Sequence, residues 1–136
     1  MTTIEHDTLT TTTRTATRSG IDGRARSDLT VWVDVCGLDD LVPDRGACAL
    51  VGPYQVAVFR LSDGGLYAVS NYDPFSGAYV ISRGLVGSAG DVPKVASPVF
   101  KQSFDLRTGA CLDDDGVALG TFDVRLNDGR IEVALP

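Results

Sequence analysis

Residues 54–71 read YQVAVFRLSDGGLYAVSN. This run limits the fold more than any other. Two apolar stretches of strand length are joined by a turn built on Asp-Gly, the pattern of a β-hairpin. The C-terminus repeats the device, with TFDVRL and RIEVAL flanking NDG. Phe122, Val124 and Leu126 fall on one side of it, and Ile131, Val133 and Leu135 share the expected core face. Upstream, LTVWVDVC alternates Val31, Val33 and Val35 with Trp32, Asp34 and Cys36, which is strand spacing. ACALVGPYQVAVFRL reads as two strands parted by Gly52 and Pro53. Between the hairpins, residues 71–116 are rich in glycine and proline and hold short β pieces: AYVISRG, KVASPVF and SFDLRTG. GLVGSAG, residues 84–90, reads as a flexible loop. LDDLV is long enough for a single helical turn, and no segment has the length of an ordinary helix. The expected fold is all-β, short antiparallel strands in a small sandwich or barrel, with no repeat of fixed period.

Residues 1–28 form a separate zone. TLTTTTRTATRSG is of low complexity and has no apolar period, so it predicts a disordered arm ahead of one β domain at 29–136. Four acids (Glu5, Asp7, Asp22, Asp28) cancel four arginines there, so the net charge of −6 belongs to the remainder. An acidic domain is a poor match for nucleic acid, whose phosphates need a basic face. No apolar run approaches the roughly 20 residues that cross a bilayer. The N-terminal segment has no apolar core of a secretory signal, and its acids argue against a mitochondrial presequence, so the expected location is cytoplasmic.

The chemistry-bearing residues are sparse. The single histidine, His6, lies in the arm, so neither Ser-His nor Cys-His catalysis has a base. Cys36, Cys48 and Cys111 are widely spaced and form no C-x-x-C pair, which predicts reduced structural thiols rather than a zinc or iron–sulfur site. Lys94 and Lys101 are the only lysines. Asp113, Asp114 and Asp115 precede Gly116 and read as a solvated turn rather than a catalytic acid pair. No phosphate-binding glycine loop is present. The residues therefore describe a compact β domain without catalytic machinery of its own, working through a partner surface.

Two stretches carry a resemblance. GLYAVSNYDPFSGAYV is similar to the first ligand loop of Rieske iron–sulfur domains, of the form Cys-x-His-x-Gly. ASPVFKQSFDLRTGACLDD is similar to the second, Cys-x-x-His running into a hairpin. Asp73 and Ser97 stand at the two Cys positions, and Phe75 and Phe100 at the two His positions. A Rieske centre needs two thiolates and two imidazoles, so the resemblance is to a domain that has lost its cluster. Over residues 29–135 the chain resembles the small subunit of NAD(P)H-dependent nitrite reductase (the NirD type). That resemblance implies no cofactor on this chain. It implies a large-subunit partner carrying FAD, sirohaem and an iron–sulfur cluster, which reduces nitrite to ammonium in nitrate assimilation.

It further implies that both loop tips gather at one end of the domain, presenting Phe75, Ser76, Tyr79, Lys101 and Gln102 to that partner. Phe75 and Phe100 are expected to pack together where a cluster would sit. Arg83 is a candidate of the same kind as Lys101. Trp32 and Tyr54 read as core or edge, and Asp105 and Arg107 as stabilisers of the second loop. Two other readings stand beside this one: a Rieske-type electron-transfer ferredoxin, and a stand-alone β module that binds a small molecule or protein.

Overall fold

The structure is a computed structural model and describes residues 29–136. The expected arm, residues 1–28, lies outside the described residues. Ten strands follow: β1 (Val31–Gly37), β2 (Arg45–Val51), β3 (Tyr54–Arg60), β4 (Leu66–Ser70), β5 (Leu85–Ala89), β6 (Val92–Ala96), β7 (Ser103–Asp105), β8 (Thr121–Phe122), β9 (Val124–Asn127) and β10 (Arg130–Leu135). They form three antiparallel sheets, ordered β1-β10-β9, β2-β3-β4-β8 and β5-β6-β7. The all-β expectation is met. The helical content of the described residues is two single 3-10 turns, Leu38–Asp40 within LDDLV and Ile81–Arg83.

The β2–β4 sheet lies in the middle because its central strands, β3 and β4, bury apolar residues on both faces. Along β3, Val56 and Val58 enter one core with Val33, Val35, Ile131 and Val133. Ala57 and Phe59 point the other way, into a second core with Ile81, Val95, Phe104 and Leu106. β4 does the same with Ala68 and Val69. A strand that faces a core on each side buries every residue, which is why VAVF carries no polar alternation. Phe59 is held tightly: a Cβ added to the neighbouring Gly46 would lie 2.6 Å from the Phe59 ring.

Four local expectations are corrected. GLVGSAG is not a loop: Leu85–Ala89 pairs along its length with β6. Its small residues carry no strand signal, so the pairing is imposed by the neighbour. AYVISRG contributes an isolated Tyr72–Tyr79 bridge and a 3-10 turn rather than a strand. β1 carries an extra residue between Asp34 and Cys36, so Val35 and Cys36 are both buried and the alternation breaks there. TFDVRL splits: Thr121–Phe122 pairs with β4, and Val124–Asn127 with β10. The segment thus ties two layers together, and Leu126, on the outer strand of its sheet, is 49% exposed rather than core.

The three cysteines are free, with Cys36 and Cys111 buried and Cys48 partly so. Burial, then the nearby Asp40 carboxylate, pushes the Cys36 thiol up to about 11, which keeps it protonated and unreactive. Phe59→Ala is expected to lower unfolding free energy by roughly 3–5 kcal/mol in a denaturant titration, because it empties the centre of the second core.

Candidate functional site

Two loops meet at one end of the second core. The first, residues 71–79, leaves β4. The second, residues 97–102, joins β6 to β7. Asp73 and Ser97, one from each loop, are both 0% exposed. Ser97 Oγ donates to Asp73 Oδ2 at 2.6 Å, the short length expected of a hydroxyl bound to a carboxylate. Ser76 Oγ donates to the same oxygen at 2.9 Å, and the Phe75 N–H donates to Oδ1 at 2.9 Å. The Val99 N–H donates to Ser97 Oγ at 3.2 Å, which extends the chain of bonds into the second tip.

Asp73 has no cationic partner among these contacts, so its charge rests on hydrogen bonds alone. Burial pushes the carboxyl up. The bonds from Ser97, Phe75 and Ser76 outweigh that and hold it below the usual carboxylate range. Asp105 behaves similarly from a different balance. Its bonds to Arg107, at 3.1 Å from each of Nε and Nη2, lower its pKa against the opposing effect of burial. Asp105 and Arg107, expected to stabilise the second loop, bond to each other within the turn that follows β7.

Both loops are built on one turn, and a third copy follows β7. In each, the first residue accepts the N–H of the fifth and donates its own N–H to the carbonyl of the sixth. The lengths are 2.8 and 2.8 Å at Asp73, 3.1 and 2.9 Å at Ser97, and 2.7 and 2.9 Å at Asp105. In each, the first side chain accepts the N–H of the third residue: Phe75, Val99 and Arg107. The fifth residue has positive φ: +79° at Gly77, +69° at Lys101 and +82° at Gly109. This short repeat escaped sequence reading. DPFSGA and DLRTGA show it as Asp-x-x-hydroxyl-Gly-Ala, while SPVFKQ conceals it.

Asn71 was also missed. It is buried, and its Nδ2 donates to the Tyr79 carbonyl at 3.1 Å while its Oδ1 accepts the Ser82 N–H at 2.7 Å. It ties the start of the first loop to its end. Nothing in SNY distinguishes such a residue from a turn asparagine.

The structure brings Asp73 and Ser97 together but not the two phenylalanines. The expected Phe75–Phe100 stack is absent. Phe75 is half-buried and packs on Phe104, with ring centroids 6.1 Å apart, while Phe100 is 58% exposed. The hydrogen-bonded polar pair already closes the gap the rings were expected to fill. At the tips, Tyr79 is exposed and tilts against Tyr72 with centroids 5.1 Å apart. Lys101 is exposed, and Ser76 and Gln102 are half-buried. The Gln102 Oε1 is buried without a hydrogen-bond partner.

These residues do not fit a [2Fe–2S] cluster. Phenylalanine side chains offer no donor, and Asp73 and Ser97 are bonded to each other. Among the described residues no group of three or more His, Cys, Asp or Glu side chains converges to hold a metal ion.

The family model of the Rieske-like [2Fe–2S] domain matches residues 31–134. The NADH nitrite reductase small subunit of Escherichia coli K12 is 40% identical over 103 residues, covering 75% of this chain and 95% of that protein. The NMR structure of the E. coli protein NirD superposes with a TM-score of 0.73 at 38% identity, covering 78% of this chain and 97% of that one. A protein of Klebsiella oxytoca described as the nitrite reductase [NAD(P)H] large subunit is 39% identical over 102 residues, 75% of this chain but 11% of that protein. The longer protein therefore contains a similar domain.

Ser97→Ala is expected to lower stability by roughly 1.5–3 kcal/mol, the range for a hydrogen bond to a charged group, read by denaturant titration. Because the Asp73 carboxyl is held below its unfolded value, its contribution is fully present above that value, about pH 3.9. It is lost as pH falls through the folded pKa. Asp73→Asn should be less stable at neutral pH and show a shallower loss of stability below about pH 4. Acid unfolding curves of the two proteins check this, and an unchanged slope would contradict the bonding described.

Proposed function

The chain belongs to the Rieske-like domain family, in the branch of nitrite reductase small subunits, and on that premise we propose that it is the non-catalytic small subunit of an NAD(P)H nitrite reductase. One observation supports a supporting rather than an electron-carrying role. The end of the domain where a Rieske cluster would sit is closed by the Asp73–Ser97 hydrogen bond. Such an end carries no electron but keeps a definite shape, which suits it to contact.

The partner in this reading is the large subunit, carrying FAD, sirohaem and an iron–sulfur cluster and reducing nitrite to ammonium in the cytoplasm. The K. oxytoca relative supports the pairing, since a domain like this one lies within its large-subunit chain. The contact surface is the loop end. Tyr79 and Lys101 form its outer face, and Phe75, Ser76 and Gln102 support it from behind. Among the described residues no helix is long and apolar enough to cross a membrane.

The expected result of co-expression is a complex with a large-subunit protein, and NAD(P)H-dependent nitrite reduction that falls at least tenfold when this chain is omitted. Full activity of the large subunit alone would contradict the reading. The isolated chain is expected to be colourless. A thiolate–iron absorption band in the visible spectrum would instead favour the electron-carrier reading.

A further inference from the structure

The turn at Ser97 departs from the other two at its first residue (Ser97 for Asp), its sixth (Gln102 for Ala) and, in succession, its fourth and fifth. In the turns at Asp73 and Asp105 the fourth residue bears a hydroxyl, Ser76 or Thr108. That oxygen accepts the N–H of the sixth residue, at 3.2 Å from Ala78 and 3.1 Å from Ala110. The fifth residue is glycine, which adopts positive φ without steric penalty. The turn at Ser97 has Phe100 and Lys101 in these places and keeps the same backbone, with Lys101 at φ +69°. A side chain in the left-handed region is disfavoured by contact between Cβ and the following carbonyl.

Neither residue repays this within the domain. Phe100 is 58% exposed, and among the described residues it stacks on no other ring. Lys101 is exposed and makes no ion pair among the described residues. Asp73 is the only other charged residue of the two tips, and it is buried. Lys101 is therefore the one charge they expose, a cation on an otherwise acidic chain. Backbone strain of this kind persists where the side chain has a use.

We propose that Phe100 and Lys101 form the docking dipeptide of the small subunit. The Phe100 ring seats in an apolar recess of the nitrite reductase large subunit, and the Lys101 ammonium pairs with a carboxylate beside that recess. The inference rests on the functional reading above and names the two residues that carry the contact. An aromatic anchor beside a cation is the composition that dominates binding at protein interfaces, and the charge gives the encounter a salt dependence.

The test is to repair the turn. A double variant, Phe100→Ser with Lys101→Gly, gives the second loop the residues of its two relatives. The melting temperature of the isolated chain is expected to rise by about 4–8 °C, the shift that relief of one such strained residue gives in a domain this small. The concentration giving half-maximal stimulation of the large subunit's NAD(P)H–nitrite activity is expected to rise roughly 10- to 100-fold. Lys101→Arg keeps the charge and should bind as the native chain does. Lys101→Gly alone should weaken the salt dependence of stimulation. A repaired variant that is more stable and stimulates as well as the native chain overturns the inference alone. So does a repaired variant of lower stability, since the two residues would then serve the fold. A native chain that neither binds nor stimulates overturns the functional reading, and this inference with it.

Discussion

Burial of β3 and β4 on both faces is the constraint on which the rest of the structure depends. A sheet covered on one side leaves alternate residues to water, but Val56–Phe59 has no residue suited to that. Two further layers must therefore form: one from β1, β10 and β9, the other from β5, β6 and β7. The second layer is small, and its strands carry little intrinsic preference of their own. It is held by Val95 and Phe104 against Phe59, Val69 and Ile81. Since β4 runs directly into the first loop and β6 into the second, that core also brings the two loop bases together. The position of the loop end follows from the packing of the middle sheet.

Closing that end is a separate problem, and hydrogen bonds solve it. In a cluster-bearing domain metal–ligand bonds would join the two loops. Here one carboxylate gathers donors from both: Ser76 and Phe75 from its own side and Ser97 from the other. The buried charge remains ionised because its oxygens are satisfied, and it would be costly if they were not. The joint forms as the chain folds and waits on no cofactor. A carboxylate–hydroxyl hydrogen bond has no redox chemistry of its own, in keeping with the contact role proposed above.

The hairpins were legible in the sequence because Asp-Gly turns join segments of strand length, continuously apolar in the first hairpin and alternating in the second. The loop end was legible as a position: the resemblance put Asp73, Phe75, Ser97 and Phe100 on two loops expected at one end, and the structure joins those loops through Asp73 and Ser97. How these four interact was not. Two phenylalanines suggest a stack, but a ring position in sequence says nothing about where its Cβ points once a turn fixes the backbone. The third residue of the first turn faces inward, and Phe75 meets Phe104. The fourth residue of the second turn faces solvent, and Phe100 meets water. β5 was illegible for another reason: Gly87, Ser88 and Ala89 form a strand through what β6 offers them, not through their own preference.

The internal repetition adds something that neither strand pattern nor family likeness supplies. Three copies of one turn in one domain act as controls for one another, since the same backbone is solved by three sequences. Where two copies agree on a hydroxyl and a glycine, local physics explains the choice. Where the third departs at both positions with no gain in burial or bonding, local physics is the wrong place to look. The departure falls at the apex of the exposed loop end, two residues in succession, one apolar and one cationic. A fold optimised alone would place serine and glycine there. That it does not is the observation from which the proposed docking of Phe100 and Lys101 starts.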